Sequence, residues 1–295
     1  MGFKQKIKNL PWLYNTFLFF LNNTGYFNKR FHKAFGNYKV TPYWRARIDK
    51  VKLSADNNKI EHVMDAGKIF PTYQRMHNGI RITLGSYYDY GNTHLLVENR
   101  GVHEPQEEYI FQQVLPFIRE GGTMMELGSY WAFYSLWFKQ KVRNGKCFMI
   151  EPDPHKMNFG KLNFKLNGFD GTFKLGFIDG FTDLRPNIPF YNVDHLMKTF
   201  NIETLDLLHS DIQGYELKML EGARIALNQQ RIVWTFISTH SNELHQQCID
   251  ELKNHGYIIV ADANLTESFA TDGVIVARRP DAMGPDSIKI TKAGV

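Results

Sequence analysis

Apolar and polar positions change rhythm at about residue 100 of this chain. From Thr123 onward, strand-like apolar runs at 123–127, 146–151, 171–178, 204–210 and 231–238 alternate with helix-period segments around 134–142, 154–167, 193–200 and 215–228. That alternation predicts an α/β fold with a mostly parallel sheet wrapped on both faces. Asn167-Gly168 and His255-Gly256 mark helix stops, where glycine takes the left-handed cap. After the helix NELHQQCIDELKNHG, the runs GYIIVADA and DGVIVARR predict a closing antiparallel hairpin, which completes a seven-stranded sheet. The remaining DAMGPDSIKITKAGV reads as a tail.

Upstream, residues 1 to about 40 read as helical and are rich in Phe, Tyr, Lys and Asn. Between Thr41 and Arg100 the segments VKLSAD, IRITLGSYYD and THLLVEN read as short strands separated by Asn, Gly and Asp turns. GVHEPQEEYIFQQVLPFI then predicts a helix, with Tyr109, Ile110, Val114, Leu115 and Ile118 at helical spacing. The expected division is therefore an N-terminal helical and β appendage over 1–100, serving as a substrate lobe, a core domain over 101–280 and a tail over 281–295.

Composition sets the outer bounds. With 295 residues, 43% hydrophobic and 22% charged, the chain can bury a substantial core. Its net charge of +5 is small and dispersed, so it serves solubility before it calls for a nucleic-acid partner. Cys147 and Cys248 supply neither a metal cluster nor a disulfide framework, which points to a reducing cytoplasm. The apolar run PWLYNTFLFFL is too short to span a bilayer and lacks a cleavage site. With Lys4, Lys6 and Lys8 before it, it could lie at a membrane surface as a peripheral contact; packing of its aromatics on the protein is the plainer use.

The richest stretch is TMMELGSYWAFYSLWF. A strand ends in Glu126-Leu127-Gly128 and opens at once into an aromatic helix, which places a carboxylate and a glycine where open α/β sheets hold ligands. About 25 residues on, KCFMIEPDP ends its strand at Glu151, the offset at which an acid accepts from a ribose diol. Together these predict a cofactor containing adenosine. Each acid alone would be explained by solubility at a strand end.

The runs MELGSYWAFYSLWF, MIEPDPHKMNFGKLNFKLNG and VDHLMKTFNIETLDLLHSDIQGYELKMLEGA resemble the FkbM-type family of S-adenosylmethionine-dependent methyltransferases, over roughly residues 101 to 278. The resemblance implies a Rossmann-like class I methyltransferase fold, S-adenosyl-L-methionine as donor, and O-methylation of a carbohydrate, glycolipid or secondary metabolite. It also implies the cofactor residues: Glu126, Gly128 and Ser135 around the methionine part, Glu151 on the ribose and Asp179 near the adenine amino group. Ala132 stands where the family's loop has its second glycine, and Gln213 where it has glutamate. Alanine keeps most of glycine's close approach but little of its freedom at positive φ.

An NAD-dependent sugar-nucleotide oxidoreductase would also use a first turn and an acid after the second strand. It needs a G-x-G-x-x-G loop around a pyrophosphate, and here Tyr130 and Trp131 occupy that turn. A non-catalytic module of the same fold with an RNA-like partner is a further reading; it predicts strongly salt-dependent binding.

For catalysis, the strands LDLLHSD and RIVWTFISTH would be neighbours and bring Asp211 to His240. A hydroxyl attacking a sulfonium carbon gains from a base as the bond forms. His240 is the candidate base, with Asp211 orienting it or the substrate. Other uses are a divalent cation held with Glu243 or His245, or Asp211 as a helix cap. His209 reads as a structural histidine. His103, Glu104, Gln106 and Glu107 could fold over the cofactor as a lid, or the carboxylates could simply serve as partners of the helix dipole, and Trp44, Tyr87, Tyr88 and Tyr90 could stack on a sugar or pack in the core.

Overall fold

The computed structural model describes residues 26–294. Helices α1 (Tyr26–Asn37), α2 (Pro42–Lys52), α3 (Tyr90–Glu98) and α4 (Pro105–Val114), with the small hairpin β1 (Tyr73–Arg75) and β2 (Arg81–Thr83), precede the main sheet. Then follow β3 (Thr123–Leu127), α5 (Phe133–Lys141), β4 (Lys146–Glu151), α6 (Pro154–Asn167), β5 (Thr172–Leu175), β6 (Phe177–Ile178) and β7 (Phe190–Tyr191). The chain continues through α7 (Val193–Thr199), β8 (Leu205–Ser210), α8 (Glu216–Glu221), α9 (Arg224–Asn228), β9 (Ile232–Thr239), α10 (Asn242–Asn254), β10 (Ile258–Ala263) and β11 (Gly273–Arg278). The residues 1–25, with the apolar run and its lysines, lie outside the described residues.

The sheet has seven strands in the order β10-β11-β9-β8-β3-β4-β5. Pairs among β9, β8, β3, β4 and β5 are parallel, while β11 runs antiparallel to both β9 and β10. Strand order reverses between β3 and β8, so the carboxyl edges of β3, β4, β8 and β9 converge on one crevice. This is the Rossmann-like class I methyltransferase arrangement with its C-terminal hairpin.

Alternation within the strands builds the layers. Met124, Met149, Leu207, Trp234 and Phe236 face a cluster that includes α2, α4 and α5, and Met125, Ile150, Leu208 and Ile237 face another that includes α7 to α10. Helix α5 sinks Phe133, Leu136, Trp137 and Phe138 almost completely, at roughly 1.5–3 kcal/mol for each such side chain removed from water. Helix α6 starts where Asp153 Oδ1 accepts from the His155 and Lys156 amides, and stops at Gly168 in the left-handed region.

Three readings from periodicity differ from the structure. VKLSAD leaves α2 after Lys52 and runs into a short 3-10 turn at Ala55–Asn58, and THLLVEN lies in α3, so neither is the strand expected; IRIT does contain β2. Thr41 before Pro42 and Asp89 before Tyr90 are the N-caps, and α3 is buried on most sides, which erases its helical period. The segment 171–178 breaks at Gly176, where a Cβ would strike the Tyr191 ring, so β6 leaves the main sheet to pair with β7. The segment 215–228 is two helices parted at Gly222, packed against Asn192 and the Asp179 carbonyl.

The residues 281–294, read as a tail, lie against the body. Ile288 is buried and its N–H donates to Val260 O at 2.9 Å; Thr291 N–H donates to Asp56 Oδ2 at 2.8 Å, and Gln106 Nε2 to Thr291 O at 2.6 Å. No helix among the described residues is long and apolar enough to cross a membrane.

Candidate active site

A cleft of about 490 Å³ opens at the carboxyl edges of β3, β4 and β8, in the size range of small-molecule sites. Gly128, Glu151 and Asp211 line it, with Tyr88, Tyr130 and Lys156 to one side and Phe177, Ile178 and Tyr215 to the other. Gly128 has φ +74°, and a Cβ there would collide with the Asp211 carbonyl oxygen. Glycine is thus required twice, for its conformation and for the close crossing of two loops. Tyr130 and Ala132 also lie at positive φ, 39° and 59°. The alanine adopts the left-handed form that glycine takes freely, at a cost of about 1–2 kcal/mol.

Glu151 accepts one backbone N–H on each oxygen, from Asp153 at 2.9 Å and Tyr130 at 3.0 Å. Each oxygen keeps a lone pair that a ribose hydroxyl could use. Burial raises its pKa, and the two amides pull it back down. Around the first turn, the Ser129 and Ser210 hydroxyls are buried without a hydrogen-bond partner among the described residues. An adenosine-bearing ligand with a polar amino-acid end suits this inventory. Bulk at Tyr130 stands in the turn where a pyrophosphate would need room, whereas Trp131 turns inward and stacks on Tyr87 at 4.2 Å.

Beyond Asp211 sits His240 at the end of β9. Its Nδ1 meets Glu216 Oε1 at 2.9 Å, while Nε2 faces Asp211 Oδ1 at 3.3 Å and Asp272 Oδ1 at 3.5 Å. Neither Nε2 contact has hydrogen-bond geometry, so that N–H points between two acids without being satisfied by either. Burial would lower the histidine's pKa, but Asp211 and Glu216 outweigh it and hold the imidazole at about 10. Asp272 is pushed up to about 6, first by burial and then by the charge of Asp211.

Of the expected residues, Gly128, Glu151 and Asp211 share the cleft, and His240 touches Asp211. Glu126 is buried beneath the turn, where Oε2 accepts the Ser135 amide at 3.1 Å at the start of α5; burial lifts its pKa to about 7. Ser135 is therefore inside α5 and not on the cleft wall. Asp179 lies one residue beyond Ile178, its Oδ1 accepting the Gly180 amide at 2.6 Å, outside the cleft lining. His245 pairs with Thr239 at 2.8 Å and lies 3.8 Å from Asp262, and no group of three such side chains among the described residues is arranged to hold a metal ion. Asp211 does not cap α8; Glu216 Oε1 takes the Ile212 and Gly214 amides.

The expected lid is buried instead. His103 lies between Glu104 at 3.2 Å and Glu108 at 2.7 Å, Glu107 meets His209 at 2.7 Å, and none of them borders the cleft. Of the four N-terminal aromatics, Tyr88 lines the cleft and is half exposed, while Tyr87 and Trp44 are buried. Sequence reasoning missed Glu216 and Asp272. A glutamate five residues after Asp211 was visible, and Asp272-Gly273 was legible only as a hairpin turn.

Residues 162–259 match the model of the Methyltransferase FkbM domain. No curated protein sequence matches the chain. Among solved structures, it is similar to precorrin-6y C5,15-methyltransferase from Geobacter metallireducens GS-15, at 14% identity and TM-score 0.41, covering 58% of this chain and 88% of that one. Trm5b from Pyrococcus abyssi is similar at 14% identity and TM-score 0.44, over 70% of this chain and 55% of that one. TrmK of M. capricolum, solved with S-adenosyl-homocysteine, gives 15% identity and TM-score 0.41, over 59% and 69%.

Proposed function

We propose that this chain, which matches the FkbM methyltransferase domain over residues 162–259, is an S-adenosylmethionine-dependent O-methyltransferase acting on a hydroxyl of a carbohydrate, glycolipid or secondary metabolite. The observation that carries the reading is the sharing of one cleft by Glu151, Gly128 and Asp211. When bound, S-adenosylmethionine supplies a methyl group activated by positively charged sulfur. Glu151 would hold the ribose hydroxyls, Gly128 keeps the turn low enough for close approach, and Glu126 fixes that turn by gripping the Ser135 amide. A cytoplasmic setting belongs to this proposal, supported by two buried free thiols.

The electrostatics reassign the proton. A base must be unprotonated before it acts, and a histidine held near 10 is an imidazolium at neutral pH. His240 therefore positions, and the acceptor's proton goes to Asp272 or Asp211, both within 3.5 Å of its Nε2. Proximity supplies much of the remaining rate, since the donor is already activated.

Calorimetric titration with S-adenosylmethionine, S-adenosylhomocysteine and NAD tests the reading. Binding of the two sulfur compounds with none of NAD supports it. Binding of NAD alone would move the chain to oxidoreductases, and binding of none would remove the cofactor.

A further inference from the structure

Helix α2 carries four basic side chains that meet different fates. Arg45 pairs with Glu98 through two hydrogen bonds of 2.7 and 2.9 Å, and Lys52 reaches the same carboxylate at 3.7 Å. Arg47 and Lys50, one turn apart on another flank, have no Asp or Glu oxygen within 4.0 Å among the described residues. Residues 1–25 contain no Asp or Glu that could supply one.

Arg47 is partly buried, and Lys50 is exposed. The Arg47 guanidinium stands over the Trp44 ring at 5.3 Å, near the Tyr43 hydroxyl, and its Nε is buried without a partner. Lys50 Nζ donates to Ala270 O at 3.1 Å. Burial, and then the neighbouring guanidinium, lower the lysine's pKa. Two like charges side by side with no acid between them repel unless an anion joins them. The acid whose field Arg47 feels is Glu104, and that carboxylate is taken by His103 at 3.2 Å and by the Tyr134 hydroxyl at 2.9 Å.

Position gives the pair its meaning. Ala270 is two residues from Asp272, a span of at most ~7 Å along the chain. The Tyr87 side chain lies within the fields of both Arg47 and Asp211. An acceptor whose hydroxyl sits at Asp211 and Asp272 would reach Arg47 and Lys50 with a second group on the same small molecule.

We propose that Arg47 and Lys50 form an oxyanion anchor for the methyl acceptor, so that the substrate is a hydroxyl compound bearing a phosphate or a carboxylate. Its role as an acceptor site rests on the methyltransferase reading; the binding of an anion there does not. Arginine offers a fork that fits either oxyanion, and the lysine adds a point charge that favours the doubly charged phosphate.

The test is calorimetric titration of the full chain with inorganic phosphate and, separately, acetate, in the presence of S-adenosylhomocysteine. Saturable phosphate binding is expected, weakened roughly tenfold or more by Arg47→Gln with Lys50→Gln and unchanged by Arg45→Gln, whose partner is Glu98. S-adenosylhomocysteine affinity should be the same in all of these proteins, which shows that they are folded. Phosphate binding stronger than acetate assigns a phosphorylated acceptor, and equal binding a carboxylated one. Equal affinities for wild type and the double variant, or no binding of either anion, would overturn the anchor. Loss of S-adenosylhomocysteine binding in the wild type, with phosphate behaving as expected, would remove the methyltransferase reading and leave the anion site standing.

Discussion

Glu216 is the side chain on which the His240 group hangs, and Glu216→Gln isolates its charge from its shape. One oxygen, Oε1, accepts from the Ile212 amide at 3.3 Å, the Gly214 amide at 3.1 Å and His240 Nδ1 at 2.9 Å, while the residue is fully buried. Glutamine keeps an oxygen there but turns three charge-assisted contacts into neutral ones, at about 1 kcal/mol each, for a loss of about 3 kcal/mol. The loss has a pH signature. A histidine raised to about 10 in the folded chain contributes stability that is fully present below its unfolded value near 6.5 and fades as pH climbs through its folded value. In the variant that folded value drops, while Asp211 still holds it above the ordinary one. The gap between wild type and variant should therefore be full at pH 6 and shrink by the His240 share, about 1 kcal/mol, on approach to about 10, leaving the part due to the two amide contacts. Urea unfolding at several pH values gives the gap, and NMR titration of carbon-labelled histidine gives the two pKa values. A gap of constant size at every pH, with His240 titrating near 6.5 in both proteins, would refute the electrostatic account.

Further substitutions separate the parts of the cleft. Glu151→Ala strands the Tyr130 and Asp153 amides and removes the ribose acceptor, so S-adenosylmethionine affinity should fall roughly 10- to 100-fold in calorimetry; an unchanged affinity would place the nucleoside elsewhere. Gly128→Ala sets a methyl against the Asp211 carbonyl and should abolish donor binding with a clear drop in melting temperature, whereas Ala132→Gly should raise stability by about 1 kcal/mol. Asp272→Asn should leave donor affinity intact, lower the His240 pKa and erase the rise of methyl-transfer rate through about pH 6, read from the pH profile with labelled donor. A profile unaltered by that change would exclude Asp272 from handling the proton.

Much of the core was legible because its signals are local. The strands β3, β4 and β8 are largely apolar runs, the first two with glycine at a flank, and Gly128 and Glu151 sit at their ends by chain order alone. Burial on most sides defeated the same reading in α3, where the polar Asn92 and Thr93 are interior along with Leu95 while Val97 is exposed. Breaks such as Gly176 were hidden for another reason: they depend on Tyr191, fifteen residues away, filling the space beside the backbone. The Asp211 and His240 pairing followed from parallel neighbours, yet the sign of its chemistry did not. Asp272 enters from the last hairpin and Glu216 from the first turn of α8, and both meet the His240 ring only in the folded chain.

Thr291 closes on Asp56 across a separation of 235 residues, and Gln106 on Thr291 across 185. A ribosome making this chain would extrude the turn at Asp56 long before its partner exists, leaving a carboxylate destined for the interior in contact with water. Assembly here should finish by lacing the two extremes of the described chain together, and translation stalled short of residue 291 should leave the early section sensitive to proteases that the finished protein resists.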